Sequence, residues 1–232
     1  MDPPAPPRTR AVLLDALGTL ILLEPPAPAL RARLRAELGV EVGEAEAEGA
    51  IAAEIAFYRR WMGLGRDARA VRALRVACAR ALRDALGPWA RDVTVVQLHH
   101  VLLGALRFRA QPDAAPALGA LRERGLRLVV VSNWDFSLHE VLRDVGLAPL
   151  LDGAVCSAEI GVAKPATRIF ARGLELAGVP ASEALHVGDD PVADVRGARA
   201  AGLRALLLDR GAGARPGPMV ITSLGELPGR CP

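Results

Sequence analysis

AVLLDALGTL, residues 11–20, is an apolar run that reaches an acid at Asp15 and continues through Gly18 and Thr19. A short apolar run without alternation is typical of a strand buried on both faces of a parallel sheet. An aspartate at the end of such a strand is a candidate nucleophile, because carboxylates form covalent intermediates in phosphoryl transfer. The same residue also suits an Asx turn or a helix cap, so this segment alone leaves both interpretations open.

Four further apolar runs of strand length follow along the chain. They are LRLVVVSN at 126–133, GAVCS at 153–157, ALHVGDD at 184–190 and LRALLLD at 203–209. Segments of helical character lie between them, at 113–124, 135–146, 165–178 and 192–202. Alternating strands and helices predict an α/β fold, with a Rossmann-like parallel sheet and helices on both of its faces.

A different composition fills residues 26–108, where Ala, Leu, Arg and Glu dominate and strand signals disappear. The stretch at 72–86 has apolar residues at helical spacing, with arginines on the other face. We predict three or four helices here, forming a cap domain at 25–108 inserted into an α/β core at 1–24 and 109–232. A cap in this position is expected to cover the carboxyl ends of the strands, where open α/β sheets bind ligands.

The composition of the chain bears on whether it binds nucleic acid or a membrane and on its cellular compartment. The formal net charge is +3 and aromatic residues make up only 3%, so the basic residues do not predict nucleic-acid binding. No apolar run is long enough to span a membrane. The proline-rich start is expected to be a flexible lead-in and not a signal peptide, and the three scattered cysteines suit a reducing compartment. We therefore expect a cytoplasmic protein, whose oligomeric state the sequence does not indicate.

Two loops carry candidate anion ligands. Ser132 and Asn133 end the second strand before a helix, a position that can hold an anion but equally suits a helix cap. Lys164 precedes Pro165 in the loop after the third strand, and it is the single lysine among 29 basic residues. An ammonium and a guanidinium are not interchangeable at a tight anionic site, so this lysine is a candidate phosphate ligand.

A cluster of acids follows the fourth strand, at Asp189, Asp190 and Asp194. Three carboxylates so close together repel one another unless a cation intervenes. Mg²⁺ prefers oxygen ligands of this kind, whereas the alternative is a polar turn that caps the next helix. Because the carboxyl ends of parallel strands lie along one edge, we expect all four loops to converge.

The order Asp, Ser, Lys and Asp-Asp-x-x-x-Asp at successive strand ends resembles the haloacid dehalogenase superfamily, over about residues 12–227. The match is closest to the branch with a helical cap, through SNWDFSLHEVLRDVGL, SAEIGVAKPATRIF and EALHVGDDPVADVRGARAAG. The resemblance implies that Asp15 is the nucleophile and a magnesium ligand, and that Ser132 and Lys164, with Asn133 beside them, bind the phosphoryl group. It further implies that Asp189 and Asp194 are metal ligands, while Asp190 is the weaker candidate.

The first motif departs from the phosphatases of that superfamily, which usually carry a second aspartate two residues after the nucleophile. Leu17 occupies that position. Its backbone carbonyl can still ligate magnesium, but its side chain cannot protonate a leaving group. Three explanations are open: a substrate with a good leaving group such as an acyl phosphate, a substitute acid such as Asp135, His139 or a cap residue, or a weak enzyme kept for another role.

We predict a hydrolase, namely a Mg²⁺-dependent phosphatase that acts on a small phosphorylated metabolite through an aspartyl-phosphate at Asp15. One alternative is a 2-haloacid dehalogenase, whose first motif resembles DAYGTL and whose halide leaves without protonation. Such an enzyme uses no metal, which would leave the acids at 189–194 unexplained. A further alternative is a weakly active or non-catalytic binding protein of the same fold.

Overall fold

The computed structural model describes residues 8–231; residues 1–7, which make up most of the expected lead-in at 1–10, and Pro232 lie outside the described residues. Contacts between residues group the chain into two units. The sheet unit comprises residues up to Leu22, Ala110–Trp134 and the chain from Leu138 onward. The helical unit comprises Leu23–Arg109 and the short segment Asp135–Ser137. The placement of 25–108 as a cap over the strand ends stays a prediction.

Eight strands occur in the described residues: β1 (Ala11–Leu14), β2 (Ile21–Leu23), β3 (Phe108–Ala110), β4 (Arg127–Ser132), β5 (Gly153–Cys156), β6 (Ala184–Gly188), β7 (Arg204–Leu208) and β8 (Val220–Ile221). Six of them form one sheet in the order β5-β4-β1-β6-β7-β8, and every adjacent pair is parallel. The predicted parallel α/β sheet is confirmed. The remaining two, β2 and β3, pair with each other in a separate two-stranded sheet that the sequence did not predict.

The helices are α1 (Pro26–Leu38), α2 (Glu44–Trp61), α3 (Ala68–Ala85), α4 (Val95–Ala105), α5 (Ala114–Glu123), α6 (Leu138–Asp144), α7 (Ser157–Ile160), α8 (Thr167–Ala177), α9 (Gly197–Ala200) and α10 (Leu227–Arg230). All four residues of β1 are buried, as are five of the six in β4. Since successive side chains of a strand point to opposite faces, both faces of the central strands are covered. This burial explains why these strands consist of uninterrupted Ala, Leu and Val.

The helix predicted at 135–146 begins only at Leu138. The prediction was wrong for its first three residues, because Asp135 folds into a turn. Its carboxylate Oδ1 accepts a hydrogen bond from the backbone N–H of Ser137, at 2.8 Å. Aspartate readily makes such local bonds to the backbone two residues ahead, and they compete with helix formation.

The helical unit contains α1 to α4, in agreement with the three or four helices predicted. Its buried core consists of Ala, Leu, Val, Ile and Cys side chains from all four helices, with Leu30, Leu82 and Leu98 fully buried. The Asp67 side chain caps the N-terminus of α3, and Thr94 forms a capping box at the start of α4. No helix within residues 8–231 has the length and the apolar character needed to cross a membrane.

Candidate active site

The candidate site lies at the carboxyl edge of the main sheet, where β4, β1 and β6 are neighbours. Asp15 directly follows β1, Ser132 is the last residue of β4, and Asp189 directly follows β6. In the register of the sheet, Leu14 is paired with Val130 on one side and with Val187 on the other. The three polar residues therefore leave adjacent strands at nearly the same level, as parallel pairing requires.

Asp15 is buried and is held by two side chains from other loops. The Ser132 hydroxyl donates to Asp15 Oδ1 at 3.0 Å. The ammonium of Lys164, itself only 6% exposed, lies 2.5 Å from the same oxygen. These contacts fix the orientation of the carboxylate and place a hydroxyl and a positive charge beside it.

Asp194 joins this group through an unusual local structure. Residues Pro191–Arg196 form a π-helical turn after β6, and this turn directs the buried Asp194 side chain toward the strand end. Lys164 Nζ lies 2.6 Å from Asp194 Oδ1, and His186 Nε2 lies 3.0 Å from the same oxygen. The backbone N–H of Asp190 donates to the other carboxylate oxygen. Lys164 thus bridges Asp15 and Asp194.

Asp189 and Asp190 differ in their roles although they are adjacent. The Asp190 side chain accepts from the N–H groups of Val192 and Ala193, both at 2.7 Å, and so caps the following turn. Asp189 lies against Gly18, where any Cβ would overlap its carboxylate. The φ of +89° at Gly18 is also one that only glycine adopts readily. Glycine at 18 therefore lets the first loop approach Asp189.

One carboxylate oxygen from each of Asp15, Asp189 and Asp194 lies within 4.8 Å of the other two. Three carboxylates face a single ammonium there, so negative charge is in excess. Hard oxygen donors grouped around such an excess suit Mg²⁺, which is commonly held by one or two carboxylates together with water and substrate oxygens. The donor set at this edge therefore fits the magnesium ion that the sequence predicted.

The ionisation of these groups follows from burial and from Lys164. Burial and the neighbouring carboxylates raise the pKa of Asp189 to about 6. Burial also acts to raise the pKa of Asp194, but the hydrogen bond from His186 and the charge of Lys164 outweigh it and hold that pKa well below its usual range. Burial alone would lower the pKa of Lys164, yet the charges of Asp15 and Asp194 raise it. The lysine therefore stays charged inside the protein.

Asn133, predicted to bind substrate, makes two contacts to the backbone of Lys164. Its Oδ1 accepts from the Lys164 N–H at 2.7 Å, and its Nδ2 donates to the Lys164 carbonyl at 3.1 Å. This reciprocal pair joins the loop after β4 to the loop that carries the lysine. A direct contact between Asn133 and substrate stays a prediction.

Leu17 and the two proposed substitute acids have different surroundings. The Leu17 side chain is 41% exposed. The Asp135 carboxylate is buried, and it bonds to the Ser137 backbone and the Tyr58 hydroxyl within the helical unit. His139 Nε2 lies 3.0 Å from Glu159 Oε2. Asp135 and His139, the two candidates that were named for the missing acid beside a cap residue, are therefore already engaged by other groups.

His186 is the site residue that the sequence analysis missed. It lies inside β6, is fully buried and packs edge-on against Phe170 with ring centroids 5.0 Å apart. Burial lowers its pKa, so the neutral ring donates to Asp194. A polar residue within a fully buried strand run was the available signal.

The chain matches the family model of haloacid dehalogenase-like hydrolases over residues 9–202. The chain belongs to this family. The resemblance inferred from its motifs is confirmed.

Three similar proteins illustrate the range of the family. The chain is 36% identical over 160 residues to haloacid dehalogenase-like hydrolase domain-containing protein 3 of Danio rerio, covering 64% of this chain and 66% of that protein. It is 42% identical over 106 residues to phosphoserine phosphatase of Thermus thermophilus, covering 45% of this chain and 43% of that enzyme. The matches therefore span less than two thirds of these relatives' lengths. Among solved structures, a 2-haloacid dehalogenase from Pseudomonas syringae superimposes with a TM-score of 0.64 at 27% identity, covering 95% of this chain and 97% of that one.

Proposed function

We propose that this hydrolase is a Mg²⁺-dependent phosphatase acting on a small phosphorylated metabolite, with Asp15 as its nucleophile. The observation that carries the proposal is the convergence of Asp15, Asp189 and Asp194 around Lys164. The similarity to a phosphoserine phosphatase supports the same reaction class. A dehalogenase, which displaces halide from carbon, uses no metal ion, so a grouping of three carboxylates that suits Mg²⁺ favours the phosphatase.

In the proposed reaction, Asp15 attacks phosphorus, and the bond from phosphorus to the leaving oxygen breaks. We assign the attack to Oδ2, because Oδ1 already accepts from Ser132 and Lys164. The phosphoryl group is then carried on Asp15 until water attacks the phosphorus and releases inorganic phosphate with a free Asp15 carboxylate. Covalent catalysis of this kind divides one difficult displacement into two easier ones.

Ser132 and Lys164 are proposed to bind the phosphoryl oxygens, because a hydroxyl and a fixed positive charge stabilise the charge that develops on them. Asp15, Asp189 and Asp194, with the Leu17 carbonyl, would hold the magnesium ion. When bound, that ion would offset the charge of the phosphate and of the clustered carboxylates. Asp194 and Asn133 orient Lys164 through its side chain and its backbone, respectively.

The leaving oxygen needs a proton unless it is already a stable anion. Leu17 supplies none, and loss of a general acid typically costs about 10²–10⁴ in rate. We therefore propose substrates with a good leaving group, of which acyl phosphates are the clearest class. The involvement of Asp135 and His139 in other contacts supports this choice over a substitute acid.

The test is hydrolysis of a panel of acyl phosphates and phosphate esters with Mg²⁺ and with chelator. We expect turnover that requires Mg²⁺, is fastest on acyl phosphates, and is lost in Asp15→Asn. The matched control is Asp144→Asn, an exposed acid at the end of α6, which should keep full activity. Absence of turnover across the panel in the folded wild type would refute the phosphatase.

The runner-up is a 2-haloacid dehalogenase, favoured by Leu17 and by the likeness to the Pseudomonas syringae structure. Chloroacetate distinguishes it, since release of chloride without added metal and loss of that release in Asp15→Asn would establish dehalogenation. If neither reaction occurs and Asp15→Asn leaves cellular function intact, the chain is a non-catalytic binding protein.

A further inference from the structure

A second cluster of metal-binding side chains lies in the sheet unit, apart from the carboxylates described above. It consists of His139 on α6, Cys156 at the end of β5 and Glu159 on α7. One ligand atom from each residue lies within 4.8 Å of the other two. The cluster therefore brings together nitrogen, sulfur and oxygen donors from three different elements.

The three side chains meet at a single atom, Glu159 Oε2. His139 Nε2 lies 3.0 Å from this oxygen, and Cys156 Sγ lies 2.9 Å from it. The backbone N–H of Cys156 also donates to it, at 3.3 Å, which completes a capping box at the start of α7. The local chain therefore holds Cys156 and Glu159 together, while His139 comes from a separate helix.

The electrostatics favour a cation at this point. Burial acts to raise the pKa of Glu159, but the hydrogen bonds from Cys156 and His139 hold it below its ordinary value. The carboxylate is therefore ionised at neutral pH. It lies beside an imidazole and a thiol, the side chains that zinc sites use most often.

We propose that His139, Cys156 and Glu159 bind one transition-metal ion of the Zn²⁺ class. Thiolate and imidazole ligands select such ions over Mg²⁺, whereas the all-carboxylate cluster at Asp15, Asp189 and Asp194 selects Mg²⁺. On binding, the S–H bond of Cys156 breaks, its proton goes to solvent and a metal–sulfur bond forms. Three protein ligands leave the fourth tetrahedral position to water.

The route to the site is open on one side. The side chains of His139 and Glu159 are 28% and 29% exposed, whereas Cys156 is fully buried. An ion would thus enter past the imidazole and the carboxylate and reach the sulfur last. Only small side-chain movements are needed, because the donors already lie within hydrogen-bonding distance of Glu159.

An ion bound at this cluster would link elements that lie next to the candidate active site. Cys156 is paired with Ser132 in the sheet, and Glu159 lies on α7, the helix that precedes the loop carrying Lys164. A bound ion would connect α6, β5 and α7 through its bonds to one side chain from each. It should therefore stabilise the folded protein, as any ligand that binds only the native state does.

The first measurement is a Co²⁺ titration of the full chain in excess Mg²⁺, followed by displacement with Zn²⁺. We expect one equivalent to give the near-ultraviolet charge-transfer band of a cobalt–thiolate bond, and Zn²⁺ to abolish that band. Cobalt bound to the carboxylate cluster gives no such band, so the two sites are distinguished. Absence of the band at saturating Co²⁺ would overturn the proposal.

Variants assign the ligands. Cys156→Ser should abolish the band, and His139→Asn should weaken Co²⁺ binding by at least about 10–100-fold, since even outer-shell partners of metal sites contribute that much. Cys78→Ser and Cys231→Ser are the matched controls and should bind like the wild type. A Co²⁺ affinity in His139→Asn equal to that of the wild type would contradict the site even if Cys156→Ser failed to fold. Zn²⁺ should also raise the melting temperature of the wild type and not that of His139→Asn.

Discussion

The pKa values of two buried carboxylates, one in each unit, are shifted in opposite directions. Asp194 in the sheet unit is 1% exposed, and Glu54 in the helical unit is 3% exposed. Burial acts to raise the pKa of both groups, because it penalises the charged form. The pKa of Asp194 is nevertheless far below its usual range, whereas that of Glu54 is raised.

The difference lies in the partners. Asp194 has the ammonium of Lys164 at 2.6 Å and His186 at 3.0 Å. The hydrogen bond to Glu54 comes from the neutral thiol of Cys78, which lowers the Glu54 pKa less than burial raises it. At Asp194 the hydrogen bond from His186 and the charge of Lys164 together outweigh burial and lower the pKa. At Asp15 burial and the charge of Asp194 outweigh the same lysine, and the pKa is raised. In the sheet unit one lysine serves two carboxylates, Asp15 and Asp194, so the charge balance of the site depends on that lysine.

The largest expected effect comes from removing that cation. Lys164→Met would leave Asp15 and Asp194 buried without their counter-charge, the condition that typically destabilises a protein by about 3–5 kcal/mol. Chemical denaturation should therefore give a much lower midpoint than for the wild type, and the proposed phosphatase activity should be lost. Lys164→Met would also make the surroundings of Asp194 resemble those of Glu54.

The matched control for Lys164→Met is Arg172→Met, which breaks the exposed pair between Arg172 and Glu175. Exposed ion pairs are worth about 0–1 kcal/mol, so the midpoint should hardly move. Equal destabilisation by the two variants would show that the buried cation has no special role.

The substitution Leu17→Asp extends the comparison of Asp194 and Glu54 to a carboxylate at an exposed position. Leu17→Asp would restore a potential general acid at a side chain that is 41% exposed, so its burial cost is small. We expect hydrolysis of esters with poor leaving groups to rise by about 10²–10⁴, the usual contribution of a general acid. Acyl phosphates should gain far less. The control is Leu17→Asn, and an equal gain in both variants would exclude proton transfer as the cause.

Much of the candidate site could be predicted from the sequence, because the order of strands in a parallel sheet determines which strand ends meet. Asp15, Ser132 and Asp189 follow buried strand runs, and parallel strands bring their ends to one edge whatever the details of packing. Asp194 and Lys164 were found through their positions in loops, and the single lysine pointed to a special environment. These inferences needed only the order of elements and the identity of the residue at each end.

Features that depend on side-chain geometry escaped prediction. The turn at Asp135 replaced the first residues of a predicted helix, and the two contacts of Asn133 with Lys164 have no sequence signal. The cluster of His139, Cys156 and Glu159 joins residues from three elements without a local motif. Strands β2 and β3 have three residues each, too few for a pattern to be recognised.

The substitution Gly188→Ala tests how much the contacts of the Asp194 carboxylate contribute to stability. A Cβ at this position would overlap the Asp194 carboxylate, so Gly188→Ala must displace that side chain from its present contacts. We expect a loss of about 1–3 kcal/mol in the free energy of unfolding, which is typical of overpacking, and a lower activity. Gly119→Ala on α5 is the control, since nothing lies within 4 Å of its added Cβ and alanine favours the helix.

The smallest expected effect concerns Glu54, and it depends on pH. Because the folded-state pKa of Glu54 is raised above its ordinary 4.5, the folded protein holds this proton more tightly than the unfolded chain. The stability contribution is present below pH 4.5 and is lost as pH rises through the folded-state pKa. Glu54→Gln keeps an acceptor for the Cys78 thiol and removes the charge, so it should raise the melting temperature at pH 8 by roughly 2–4 °C for each kcal/mol gained. The gain should vanish at pH 4, where Glu54 is protonated in both states. A gain that is equal at pH 4 and pH 8 would trace the effect to packing instead of charge, and the contrast with Asp194 would then fail.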